Sequence, residues 1–270
     1  GYVYAHGVGG MFFCFDRDGK IVWSHSLTED YGRISGYGGR VTTPIVDEDL
    51  VILSYLSSNW GDHFAGRHRY FAFDKKTGEV VWVSTPGGPP LDTTYSVPVI
   101  AEINGMRLLI DGNADGSVYA MKVRTGEKVW GFKLSQRGIN SSVVVRGNKV
   151  YAAHSEENYD NTALGRVVCI DGTGVGDVTA THEVWRYDGC FAGYTSPILH
   201  ENGLYIVDNS ANMHALDAKT GQLRWTHNVG TVGKGSPIFA DGKIYAPEVN
   251  GKLTILEPGE TGAETLDAEE

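Results

Sequence analysis

The apolar positions of this chain fall into short runs broken by turn residues. Ser196-Pro-Ile-Leu199, Leu204-Tyr-Ile-Val207 and Met213-His-Ala-Leu216 follow one another in this way. The runs are rich in β-branched and aromatic residues, and turn signals interrupt them roughly every 8 to 12 positions. That spacing predicts strands; no amphipathic helical stretch competes. Runs such as Leu50-Val-Ile-Leu53 are apolar almost throughout, which implies strands covered on both faces.

Three such runs and a Trp-bearing fourth make a unit, and the unit repeats. A Gly is followed four residues later by a Trp at Gly19 and Trp23, Gly78 and Trp82, Gly126 and Trp130, and Gly221 and Trp225. Trp185 supplies the indole of the fourth unit after a longer turn. The consensus is small-x-Asp-x-x-Thr-Gly-x-x-x-Trp. The Asp side chain accepts backbone N–H groups within the turn, and Gly takes the positive φ that closes a hairpin with a bulge. A Trp at one phase of every unit is a packing element: burying an indole removes about 150 to 250 Å² from water, worth roughly 4 to 6 kcal/mol as an upper estimate. Self-similarity at a period of about 40 to 60 residues means stacked units. A radial stack of four-stranded antiparallel blades is a β-propeller, so an all-β propeller is the predicted fold. A WD-type propeller would place Asp after the Trp; here Ser24, Val83, Gly131, Arg186 and Thr226 stand there.

The units run about 1–33, 34–90, 91–135, 136–190, 191–230 and 231–259, followed by an acidic segment, 260–270. Four read as complete. The first lacks its innermost strand, and the last meets Pro258-Gly259 without a Trp. The segment 260–270 is expected to be a mobile tail, or to lead into a further blade.

Ala72-Phe-Asp74-Lys-Lys-Thr-Gly78-Glu-Val-Val-Trp82 and Ala215-Leu-Asp217-Ala-Lys-Thr-Gly221-Gln-Leu-Arg-Trp225 resemble the blade motif of the PQQ-like propeller repeat family. This family includes quinoprotein dehydrogenases and the propeller lipoprotein of the outer-membrane β-barrel assembly machinery. The resemblance covers about residues 1–259. It implies a ring of seven or eight blades, of which this chain is the readable part. It also implies a periplasmic or otherwise extracytoplasmic, bacterial cell-envelope setting. Enzymes of the group hold PQQ in the central channel with adjacent cysteines, a stacking Trp and calcium. This sequence has no Cys-Cys pair and no residue that matches the calcium or base positions. No cofactor is therefore expected, and a PQQ-type oxidoreductase with its catalytic residues outside this chain is the alternative.

Composition narrows the classes further. With 23 basic against 33 acidic residues, a long-range attraction to nucleic acid or anionic lipid is not expected. No apolar run is long enough to span a membrane. Three cysteines cannot all pair. Cys14 and Cys169 stand two residues before a turn Asp, where other units place Ala, and read as small core residues. Cys190 lies in a connection between blades.

Asp111, Asn113 and Asp115 have the opening of a calcium loop, but Lys122 occupies the last ligand position, and register places the segment at a hairpin. Nine histidines are scattered, and only His63 and His68 lie close together; no convergent catalytic set is visible. The loops themselves are unequal. Turns on one face are short, except Asp171 to His182. The other face carries Ser24 to Arg40, Ser57 to Arg69, Val83 to Tyr95 and His154 to Gly165. Long loops on a rigid scaffold carry binding, and aromatic and Arg residues are interface anchors. Tyr31, Arg33, Tyr37, Trp60, His63, Arg67 and His68 are the candidate interaction residues. A noncatalytic module that binds a protein partner or a small ligand is the expectation; carbohydrate on Tyr31, Tyr37 and Trp60 is a further alternative.

Overall fold

A computed structural model describes residues 1–35, 42–59, 63 and 65–269. Among the described residues six sheets, antiparallel but for one short strand, follow one another in sequence. The first is three-stranded, with β1 (Val3–His6), β2 (Met11–Phe15) and β3 (Ile21–Ser26). A short helix that the strand pattern does not predict, α1 (Leu27–Tyr31), follows it and buries Leu27. The second has β4 (Ile45–Asp47), β5 (Leu50–Leu56), β6 (His68–Asp74) and β7 (Val80–Ser84). The third has β8 (Val99–Ile103), β9 (Met106–Gly112), β10 (Ser117–Lys122) and β11 (Lys128–Lys133). β12 (Val144–Arg146), β13 (Lys149–Glu157) and β14 (Leu164–Asp171) open the fourth sheet. The chain then leaves it for β15 (Gly176–Asp177) before returning as β16 (Glu183–Asp188). The fifth runs β17 (Ile198–His200), β18 (Gly203–Val207), β19 (Asn212–Asp217), β20 (Leu223–Asn228). The sixth runs β21 (Ile238–Ala240), β22 (Lys243–Pro247), β23 (Leu253–Pro258), β24 (Ala263–Glu269).

The expectation of an acidic tail over 260–270 is corrected. Ala263–Glu269 is β24, the outermost strand of the sixth sheet, paired with β23 from Pro258↔Ala263 to Leu253↔Glu269. The absence of a Trp hid it: Asp267 faces Ile255 where other sheets set a Trp against a small residue. Its side chains are almost all exposed, because an outer strand can be held by ladder hydrogen bonds while burying little.

Each apolar cluster lies between consecutive sheets. Phe12, Cys14, Trp23, Val51, Leu53 and Phe71 join the first two, and Ile110, Val118, Trp130, Ala152 and Val168 join the third and fourth. The repeat motif explains the joint. Each small residue pairs across the ladder with its Trp: Cys14↔Trp23, Ala72↔Trp82, Ala120↔Trp130, Cys169↔Trp185, Ala215↔Trp225. The register slips at that point in every sheet, which is the bulge the turn demands. The turn Asp accepts the expected N–H groups, Lys76 and Thr77 onto Asp74 and Lys219 and Thr220 onto Asp217.

Each indole N–H then reaches the next sheet. Trp82 donates to Val123 O at 3.0 Å, Trp130 to Gly172 O at 2.9 Å and Trp185 to Ala218 O at 3.0 Å. The indole faces lie on the glycines: a Cβ on Gly78 (φ 76°) would meet Trp23 at 2.7 Å, and one on Gly126 would meet Trp82 at 2.5 Å. Gly78 is thus required both by its backbone and by its neighbour. Serine hydroxyls add a second belt: Val97, Ser142 and Ser196 N–H groups donate to Ser142, Ser196 and Ser236 Oγ of the following sheet.

Candidate functional site

Among the described residues, the loop positions singled out in the sequence differ in exposure and contacts. Tyr37 and Trp60 lie outside the described residues. His63 and Arg33 are exposed, and Arg67 is half-buried, with its guanidinium donating to Gly66 O at 3.0 Å. Tyr31 packs its ring 4.5 Å from Phe71. His68 is corrected: it is the first residue of β6 and is buried, not part of an exposed face. Its Nδ1 accepts the Ala114 N–H, so the neutral ring donates its Nε2 proton to Ser54 Oγ at 2.7 Å. Burial pulls it down to about 4. The Ser57 to Arg69 insertion does border a hollow of about 230 Å³, with Ser57, Asn59 and Gly66 facing Leu91 and Asp92.

The larger cleft lies on the third sheet. About 710 Å³ is lined by Gly88, Leu91, Asp115, Ser117, Tyr119, Lys133, Ser135, Gln136 and Tyr159. An adjoining hollow of about 220 Å³ shares Ser117, Tyr119 and Lys133 and adds Lys128, Gly131, Gly176 and Asp177. Its construction is local. The turn between β9 and β10 closes through Gly116 N to Asn113 O and Ser117 N to Asp115 Oδ1. Asp115 Oδ2 accepts Gly88 N–H and Tyr119 O–H, both at 2.8 Å, which ties the connection from the second sheet to this turn. Gly131 lies opposite Tyr119 in the ladder, and a Cβ there would stand 2.6 Å from the ring. A missing side chain is what lets Tyr119 lie flat as the cleft floor.

Two lysines flank that floor. The Lys128 ammonium sits 5.3 Å over the Tyr119 ring and donates to Pro86 O. The Lys133 ammonium sits 5.1 Å over the Tyr159 ring and 3.2 Å from its hydroxyl, which holds Lys133 above its ordinary value. One wall is β15, which pairs parallel to β11 through Trp130↔Gly176 and Gly131↔Asp177. Tyr119, Lys128 and Lys133 were missed in the sequence because they stand on strands, not loops. The signal that was available is the single Gly131 inside the apolar run Val129–Phe132, which marks a close approach. Tyr159 and Leu91 do belong to long loops of the face nominated for binding.

Beneath the cleft is a closed polar cluster. Asp111 is fully buried and accepts Tyr70 O–H at 2.9 Å and the Ser96 hydroxyl. Burial raises its carboxyl to about 7, against the lowering effect of those donors. Asp111, Asn113 and Asp115 are each engaged elsewhere. Among the described residues no group of three His, Cys, Asp or Glu is arranged to hold a metal ion. Cys14, Cys169 and Cys190 are separate buried thiols, and burial pushes Cys190 up to about 12. The five repeat indoles are committed to packing.

Sheets stacked through a Trp, a facing Gly and an Asp-capped turn, with a cleft among the loops of successive blades, define a PQQ-like β-propeller. The chain belongs to the family described as outer membrane protein assembly factor BamB, whose profile matches residues 1–227 and again 179–268. It is 27% identical over 274 aligned positions to a tetrathionate hydrolase of Acidithiobacillus ferrooxidans, covering 90% of this chain and 49% of that protein. It is 22% identical over 268 aligned positions to BamB of Yersinia pestis, covering 94% of this chain and 61% of that protein. The chain thus spans less than two thirds of the length of the curated relatives it matches. The crystal structure of BamB from Moraxella catarrhalis superposes with a TM-score of 0.67 at 15% identity, over 100% of this chain and 73% of that one.

Proposed function

We propose that this chain is a noncatalytic binding or scaffolding propeller of the bacterial cell envelope, and that it receives a protein segment on its long-loop side. The observation that carries the reading is the cleft of about 710 Å³, walled by connections from the second, third and fourth sheets. Rigid blades present those loops at low ordering cost, which suits docking rather than chemistry. The assembly-factor family supports the envelope setting. Among the described residues no helix is long and apolar enough to cross a membrane.

Crosslinking mass spectrometry on the full-length protein in extract from its native source tests this. Reproducible crosslinks from Lys128 or Lys133 to one neighbouring protein are expected. A clean monomer that crosslinks to nothing would sink the reading. The likeness to a protein named tetrathionate hydrolase favours a second reading, in which the full-length protein acts on a small substrate. Incubation of that protein with tetrathionate, following its loss against a blank, decides it; no loss removes the hydrolase reading. Titration with PQQ and calcium, followed by absorbance, disposes of the quinoprotein alternative if no saturable change develops.

A further inference from the structure

We propose that the cleft on the third sheet takes an extended segment of a partner protein that carries an acidic side chain beside an aromatic or other large apolar one. The proposal rests on the scaffold reading and names the occupant of that site.

Charge is the first argument. The chain carries a formal net charge of −10, yet this concave surface presents two exposed lysines. Neighbouring cations are paired: Lys122 with Glu127, Arg124 with Asp49, Lys149 with Asp171. Among the described residues Lys128 and Lys133 have no carboxylate partner; they rest on the faces of Tyr119 and Tyr159. The acids in the cleft form no ion pair with them, although the Asp177 charge acts on both lysines through space. Asp115 spends its oxygens on Gly88 and Ser117 N–H and on Tyr119 O–H, and Asp177 Oδ1 accepts Thr179 N–H. The free ammonium protons are therefore the donors that face an incoming group. Ammonium groups held on aromatic faces are pre-positioned, so a carboxylate gains charge-assisted hydrogen bonds at small ordering cost.

Shape is the second argument. The two hollows share Ser117, Tyr119 and Lys133. In the larger one Leu91 and Tyr159 remain 57% and 46% exposed. Two adjoining hollows with the lysines in them and exposed apolar surface on Leu91 and Tyr159 fit a strand-like segment better than a compact solute. Adjacent positions of such a segment place a carboxylate on the lysines and a ring on Leu91 and Tyr159.

The test pans a phage-displayed random dodecapeptide library on the protein, then on the K128E/K133E variant. Both lysines are exposed, so an unchanged unfolding curve certifies the fold. Enriched sequences should carry Asp or Glu near an aromatic residue. By fluorescence polarisation, a synthetic peptide of that consensus should lose at least about tenfold in affinity to K128E/K133E and to Tyr159→Ala, and should weaken with added salt. Enrichment without acidic preference would overturn the proposal. So would unchanged affinity in both variants, or binding of free glutamate or sulfate with no peptide enriched. Native crosslinks that reach a partner only from other surfaces would overturn this occupant while leaving the scaffold reading intact.

Discussion

The second and third blades are built on one motif and finished differently at the rim. In the second, β7 is a bare outer edge: Val80, Val81 and Val83 are exposed, and Trp82 keeps 8% of its surface in water. In the third, the excursion between Asp171 and His182 lays β15 along β11 and drops Val178 into the core, so Trp130 is fully buried. Lengthening a turn in one blade thus closes the edge of the preceding one and raises a wall beside Tyr119. The repeat stacks the blades alike, and a single departure from it supplies a wall of the cleft.

The strongest way to break the comparison is at the indoles. Trp82→Ala and Trp130→Ala should each cost about 3 to 5 kcal/mol, with Trp130 at the upper end because Val178 also loses its contact. Denaturant unfolding at matched pH measures both, and equal losses would deny the role of the insertion. Next come the glycines the indoles press on. Gly78→Ala combines a positive φ with a clash against Trp23 and should cost about 2 to 4 kcal/mol, whereas Gly19→Ala, with nothing within 4 Å, should cost about 1. Replacing residues 172–181 by the short Lys-Lys-Thr-Gly turn of the second blade should cost about 1 to 2 kcal/mol, near the value of one buried Val. It should also raise acrylamide quenching of Trp130 toward that of Trp82 in single-Trp backgrounds. Unchanged quenching would mean the edge is covered by something else.

The smallest difference is electrostatic. In the second blade Thr42 donates to a main-chain carbonyl, Ser54 O; in the third, the corresponding Ser96 donates to the buried carboxylate of Asp111. With its folded value raised to about 7, Asp111 contributes stability that is present below its ordinary value near 4 and is lost as pH rises to about 7. Asp111→Asn should flatten the stability profile across that window, read by chemical unfolding at a series of pH values. An unchanged slope would show that another group carries the dependence.

Much of the architecture was legible because a repeat announces itself several times. The Gly-to-Trp spacing, the Asp turn and the Pro-marked first strands located the sheets and assigned the indoles to packing. β24 was missed because an outer strand that buries little carries no apolar alternation; its partner β23 holds it through backbone bonds. The candidate site was harder. Loop length pointed to the side on which Leu91 and Tyr159 line the cleft, but the nominated residues included His68, whose position at the start of a buried strand removes it from the surface.

What the sequence determined by itself is whatever depends on local chemistry repeated in register. Positive φ at glycine, N–H capture by Asp, and strand periodicity belong here, since each is decided within a few residues. What only the tertiary structure decided are contacts between units distant along the chain: Trp130 on Gly172 O, Asp115 on Gly88 N–H, Lys133 over Tyr159. Those depend on how one blade is rotated against the next, and that rotation is set by the summed packing of both faces, which no single segment encodes.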